Sequence, residues 1–121
     1  MSKKILVVDD EPHIIMMVKS RLAANGFDVV TANSGLEGFE IAKKERPDLI
    51  ILDILMPEMT GLEALEKIKS TEETKNIPVI MFTAKGQSDD IEKAQEGGAA
   101  DYIVKPFSPL VLLEKVKKAL T

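Results

Sequence analysis

The sequence predicts a three-layer α/β/α sandwich around a five-stranded parallel sheet, and three observations carry that expectation. Short β-rich apolar runs alternate five times with stretches of helical spacing, three of those runs are apolar throughout, and no low-complexity or Gly/Ser/Pro-rich segment divides the 121 residues. A run without polar alternation is what a strand covered on both faces requires, and parallel sheets are covered in that way by their crossover helices. Strands and helices in strict alternation build right-handed βαβ units and an open sheet. Periodicity does not fix strand order. The common order for five strands is 2-1-3-4-5, with its ligand crevice beyond the carboxyl ends of the strands. The length suits one core, so a single domain over 1–121 is expected, with no effector domain in this chain.

In chain order, the strands are expected over Lys4–Val8, Asp28–Ala32, Leu49–Asp53, Val79–Thr83 and Tyr102–Lys105. Ile5–Val8, Leu49–Leu52 and Val79–Phe82 are the continuous apolar runs. Helical spacing covers Pro12–Asn25, Gly35–Lys44, Gly61–Ser70, Asp89–Gly97 and Pro109–Leu120. Pro12 and Pro109 suit first-turn positions, where a missing N–H costs nothing. Ser34 and Ser108 stand as N-caps, and Gly26 and Gly98 sit where a helix would end in a left-handed residue.

Composition excludes several classes of function. A formal net charge of −4 argues against a nucleic-acid or membrane-surface role carried by bulk electrostatics. The absence of cysteine rules out thiolate catalysis, a disulfide framework and a Cys-based zinc site, and suits a reducing compartment. The first apolar run stops at Asp9, too short for a signal peptide or a bilayer span. A cytoplasmic protein is the expectation.

The residues that end the strands carry the chemistry. Asp9 and Asp10 close the first, Asp53 the third, Thr83 the fourth and Lys105 the fifth. In a parallel sheet these ends share one edge, so three carboxylates, a hydroxyl and an ammonium converge on the ligand crevice. Each alone has an ordinary reading: an Asp after a strand caps a helix, a Thr is a β-former, a Lys is solvated. Together they need a cation. Two carboxylates about 4 Å apart repel by roughly 4 kcal/mol at an effective dielectric near 20, and Lys105 offsets only one charge. Raised pKa values or a hard divalent ion must meet the rest, and Mg²⁺ is the abundant candidate. An acidic Mg²⁺ site with a Lys and a Thr reads as a phosphoryl-handling site whose nucleophile is a carboxylate.

Asp9-Asp10, Asp53, Met56-Pro57 with Gly61, Thr83-Ala84 and Lys105-Pro106-Phe107 together resemble the receiver domain of two-component response regulators, including the chemotaxis type. The resemblance runs over essentially the whole chain. It implies a flavodoxin-like fold and a signalling switch, not an enzyme turning over a substrate. It implies Asp53 as phosphoacceptor, loaded from the phosphohistidine of a histidine kinase or histidine phosphotransfer protein, or from a small phosphodonor. It implies Mg²⁺, with Mn²⁺ as a substitute, held by Asp10, Asp53 and the backbone carbonyl of Leu55, with Asp9 acting through a water. Lys105 and Thr83 would contact the phosphoryl group, Tyr102 would follow Thr83 from an exposed to a buried rotamer, and the Lys105–Pro106 bond would be cis. The output would be the face made by the fourth helix, fifth strand and fifth helix, read by a downstream protein or effector domain, with no direct nucleic-acid or membrane contact.

Some positions depart from the family. Thr60 stands where an Asp is usual, outside the metal shell. Leu55 and Lys85, which tune phosphoryl lifetime, are neither acids nor amides, so a comparatively long-lived Asp53-phosphate is expected. Loss of radiolabel within seconds would contradict that. Ala100 before Asp101, and Lys115 where winged-helix regulators prefer Arg, imply a chain that is monomeric before and after activation. Sedimentation of a dimer with a phosphoryl mimic would contradict it. His13 is read as a solvated first-turn residue. With Ile14, Val18 and Leu22 facing the core, Met16 falls on the far side of its helix, and Ile15 and Met17 are candidates for a phosphodonor docking patch.

Two other functions compete. A haloacid-dehalogenase-like phosphatase also uses an aspartate nucleophile and Mg²⁺, but wants Asp-x-Asp, and Asp53 is followed by Ile54-Leu55. The other is an interaction module that no longer takes phosphate. The Gly-rich loops of P-loop NTPases and dinucleotide binders are absent from the sequence.

Overall fold

A computed structural model describes residues 2–84 and 88–121. Lys85 therefore lies outside the described residues. The strands are β1 (Lys4–Val8), β2 (Asp28–Ala32), β3 (Leu49–Asp53), β4 (Val79–Ala84) and β5 (Asp101–Lys105). The helices are α1 (Pro12–Ala24), α2 (Gly35–Glu45), α3 (Gly61–Ser70), α4 (Ser88–Glu96) and α5 (Pro109–Ala119). The sheet is wholly parallel in the order β2-β1-β3-β4-β5, as expected for this class of sandwich.

The continuous apolar runs are explained by two cores, one on each face of the sheet. Successive strand residues point to opposite faces. Leu6, Val8, Ile50, Leu52 and Met81 thus meet Phe39, Ala42, Leu65, Ile68 and Ala94 on the side of α2, α3 and α4. Ile5, Val7, Ile51, Ile80 and Phe82 meet Val18, Leu22, Leu112 and Val116 on the side of α1 and α5. An alternating strand would have put polar groups into one of these cores, at a cost of a few kcal/mol each without partners.

The helix ends follow the local chemistry. The Ser34 hydroxyl accepts from the Glu37 amide and the Ser108 hydroxyl from the Val111 amide, both at 3.1 Å. Gly26 and Gly98 take positive φ. Thr60 caps α3 in a reciprocal box with Glu63, so the residue that departs from the family pattern is spent on the helix end. Two strand boundaries differ from the sequence reading. Ala84 pairs with Lys105, which lengthens β4 by one residue, and Asp101 joins β5 opposite Ile80. A polar strand start is tolerated there because the Asp101 carboxylate takes the Tyr102 amide at 2.8 Å and the Lys115 ammonium at 2.9 Å.

Candidate functional site

The parallel register carries the strand-end residues to one edge. β1 runs directly into Asp9, β3 ends on Asp53, β4 carries Thr83 beside its end, and β5 ends on Lys105. The loop after β3 is drawn tight: the Gly61 amide donates to the Ile54 carbonyl at 2.8 Å, and a Cβ at Gly61 would run into the Asp53 carbonyl oxygen. No side chain other than glycine's fits there, so the start of α3 is fixed against the base of Asp53.

The centre of the site is the Lys105 ammonium. It donates to Asp9 Oδ2 at 2.8 Å and lies 3.4 Å from Asp53 Oδ1 and 3.4 Å from Glu11 Oε1. Asp9 is fully buried, and its second oxygen accepts from the Glu11 amide at 3.0 Å. Asp53 is buried as well, whereas Asp10 and Glu11 are more open to solvent. The four residues Asp9, Asp10, Glu11 and Asp53 offer carboxylate oxygens that all lie within 4.8 Å of one another. An aromatic pair lies beside the Lys105 ammonium. The ammonium sits 5.5 Å from the Phe82 ring centroid, and Phe82 is stacked on Phe107 at 4.9 Å. Phe107 reaches that position after a cis Lys105–Pro106 bond.

These distances set the electrostatics. Burial above all, and then the Asp9 charge, push the Asp53 carboxyl up to about 7, against the opposing pull of Lys105. Lys105 is raised above the ordinary lysine value: burial works the other way, but the bond to Asp9 and the charges of Asp53 and Glu11 outweigh it. One ammonium cannot neutralise four clustered acids. The donor set is all carboxylate, without thiolate or imidazole, which fits a hard divalent cation of the Mg²⁺ type.

Thr83 is buried, and its Oγ1 has no hydrogen-bond partner among the described residues. A buried hydroxyl left unpaired is costly and uncommon, and a role toward a ligand is one explanation for keeping it. Tyr102 is partly buried, packed against the core on the α2, α3 and α4 side, with the Lys115 ammonium 5.0 Å from its ring centroid. The Leu55 side chain is exposed and carries no group able to orient a water. His13 is exposed, 3.5 Å from Glu11 Oε2. On α1, Val18 and Leu22 are buried and Ile14 packs on them, while Met16 is 69% exposed. Met17 is exposed too, and Ile15 and Met16 line a groove with Lys19, Thr31 and Asn33.

Glu11 is the site residue that the sequence reading passed over. Its signal was present: it precedes Pro12 at the N-cap position of α1, where Ser, Thr, Asp or Asn would be favoured.

Residues 5–117 match the family described as the response regulator receiver domain. The chain is 41% identical over 120 residues to the alkaline phosphatase synthesis transcriptional regulatory protein PhoP of Bacillus subtilis, a match covering 99% of this chain and 49% of that protein. The chain thus spans about half the length of the curated relatives it matches. Among solved structures it is similar to the chemotaxis protein CheY4 of Vibrio cholerae, at TM-score 0.93 and 35% identity over 99% of this chain and 100% of that one. It is also similar to the receiver domain of a Pseudomonas aeruginosa sensor histidine kinase, at TM-score 0.91 and 27% identity, covering 99% and 98% of the two chains. That structure is described with a magnesium ion coordinated in the active site cleft. The chain belongs to the response-regulator receiver family.

Proposed function

We propose that this receiver domain takes a phosphoryl group onto Asp53 from a phosphohistidine of a histidine kinase or histidine phosphotransfer protein, and that the acquired charge switches the face of α4, β5 and α5 for a downstream protein or effector domain. The observation that carries the reading is Lys105 held at 2.8 Å from buried Asp9 and 3.4 Å from buried Asp53. In the transfer, a carboxylate oxygen of Asp53 forms a bond to phosphorus as the bond from phosphorus to the imidazole nitrogen breaks. The electron pair of that bond stays on the imidazole, which is protonated from solvent. Asp53 must be ionised to attack; burial first and then the Asp9 charge push its carboxyl to about 7, and a divalent cation drawn to the clustered acids would favour its ionised form.

Asp10, Asp53 and the Leu55 carbonyl would hold Mg²⁺, or Mn²⁺ in its place, with Asp9 acting through a water. The ion would neutralise phosphoryl oxygens during transfer. Lys105 offers a second positive charge to the same oxygens, and Thr83 Oγ1 offers a hydroxyl with no partner among the described residues. Phosphorylation adds up to about two negative charges at one point. Inward movement of Thr83 and Lys105 would pull the ends of β4 and β5, with Tyr102 following, and so reshape the α4–β5–α5 face. The domain is then a signalling switch that promotes its own phosphorylation and slow hydrolysis.

Incubation with acetyl phosphate and Mg²⁺, followed by intact-mass measurement, tests the reading. One phosphoryl adduct per chain, absent from Asp53→Asn, is the expected result. Continuous release of phosphate without an adduct would make the protein a phosphatase, and no reaction would leave only an interaction module.

A further inference from the structure

Glu11 sits in a capping position without capping. Its backbone adopts the extended conformation of an N-cap, yet its carboxylate makes no capping bond to a first-turn amide of α1, and Oε2 lies 3.5 Å from the exposed His13 imidazole. The carboxylate turns back instead over Lys105, 3.4 Å from the ammonium. Its own amide meanwhile donates to Asp9 Oδ1, and Asp9 Oδ2 takes Lys105. Glu11, Asp9 and Lys105 thus close a ring of three contacts. The floor of the ring is fixed, since Asp9 is fully buried. Its outer side is not: the Glu11 side chain is 47% exposed, against 17% for Lys105.

We propose that Glu11 is a positioning residue that tethers the Lys105 ammonium in the resting state and competes with the incoming phosphoryl group for it. The proposal rests on Asp53 being the phosphoacceptor. In the reaction with acetyl phosphate, a carboxylate oxygen of Asp53 bonds to phosphorus, the bond between phosphorus and the acetyl carboxylate oxygen breaks, and acetate leaves with that electron pair. Negative charge then builds on phosphoryl oxygens beside Asp53, and among the described residues Lys105, 3.4 Å from Asp53 Oδ1, is the ammonium able to meet it. Of the acids that hold Lys105, the half-exposed one is the contact that yields at least cost, because water replaces it. Glu11 therefore sets how readily Lys105 is released to the phosphoryl group.

Removal of charge and loss of reach can be separated. Glu11→Gln removes both the charge and the ion pair. Glu11→Asp keeps the charge, and with it any repulsion of the anionic donor, but is one methylene too short to span the gap. The initial rate of adduct formation is measured by intact mass at saturating Mg²⁺ and acetyl phosphate for wild type and both variants, with Asp53→Asn as the blank. Both variants are expected to react faster than wild type by about two- to fivefold, the size of effect carried by a half-exposed ion pair. Acceleration in Glu11→Gln alone would show a field effect and overturn the tether, as would unchanged or slower rates in both. If wild type forms no adduct, or Asp53→Asn forms one, the assignment of Asp53 fails and the tether falls with it. A normal Asp53-dependent adduct with unresponsive Glu11 variants would sink the tether alone.

Discussion

At the amino end of the sheet, Lys4 pairs with Glu45 at 2.9 Å while its amide donates to Asp48 at 2.8 Å, and both charged side chains are about a third exposed. At the carboxyl end, Lys105 faces Asp9, Glu11 and Asp53 with Asp10 alongside. The residue types are the same and the outcome is opposite. The Lys4 hydrogen bond and charge hold the Glu45 carboxyl below its ordinary range, as in any ion pair shared with water. Asp53 is driven the other way, because burial removes water and the surrounding acids outnumber the ammonium. The first arrangement fastens the end of a strand. The second leaves negative charge unmet where a ligand can reach it, and that excess makes it a site.

The sharpest test of the contrast exchanges each lysine for a neutral side chain of similar length. Lys105→Met should slow phosphorylation by acetyl phosphate about 100-fold, the usual cost of losing one charge-stabilising group at a reacting centre. Lys4→Met, at the other end of the sheet, should leave the rate unchanged. Intact mass against time reads both.

The proposed docking patch at Ile15 and Met17 predicts a smaller effect with a different selectivity. Replacing Ile15 and Met17 with Lys should slow transfer from the cognate kinase about tenfold, as expected for losing two apolar anchors of an interface. Acetyl phosphate has no helices to dock and should react as before. Equal loss with both donors would remove the patch from consideration.

The pKa contrast can be read in stability. Asp53 has its folded-state value raised, so its favourable contribution is fully present below the ordinary carboxylate value and is lost as pH rises through about 7. Asp53→Asn does not titrate. In chelator, its stability advantage over wild type should therefore grow by on the order of 2 kcal/mol from pH 5 to pH 8. Urea unfolding at the two pH values measures this, and saturating Mg²⁺ should narrow the gap at pH 8 by favouring the ionised carboxyl. Glu45 has the opposite sign: its contribution is present above its ordinary value and fades in acid. Because the pair is exposed, Glu45→Gln should shift the urea midpoint at pH 7 too little to resolve, the smallest effect of the series.

The sequence alone determined the elements of this protein and the chemistry at their ends. Strand and helix spacing are local properties of a few consecutive residues, and the continuous apolarity of Ile5–Val8 and Leu49–Leu52 already required a covered parallel sheet. Caps such as Ser34 and Ser108 act over three residues and are equally legible. The acids, hydroxyl and lysine at the strand ends followed from that layout. Tertiary structure decided which of them touch. Lys105 and Asp9 are 96 positions apart, and only chain closure shows the ammonium leaning on Asp9 more than on Asp53. It also recruited Glu11 from a capping position, stacked Phe107 on Phe82 beneath Lys105, buried Thr83 Oγ1 without a partner among the described residues and set the Asp53 carboxyl at about 7. The physical reason is range. Periodicity reports which face of an element is apolar, whereas burial, Coulomb fields and hydrogen-bond partners belong to atoms brought together from distant parts of the chain.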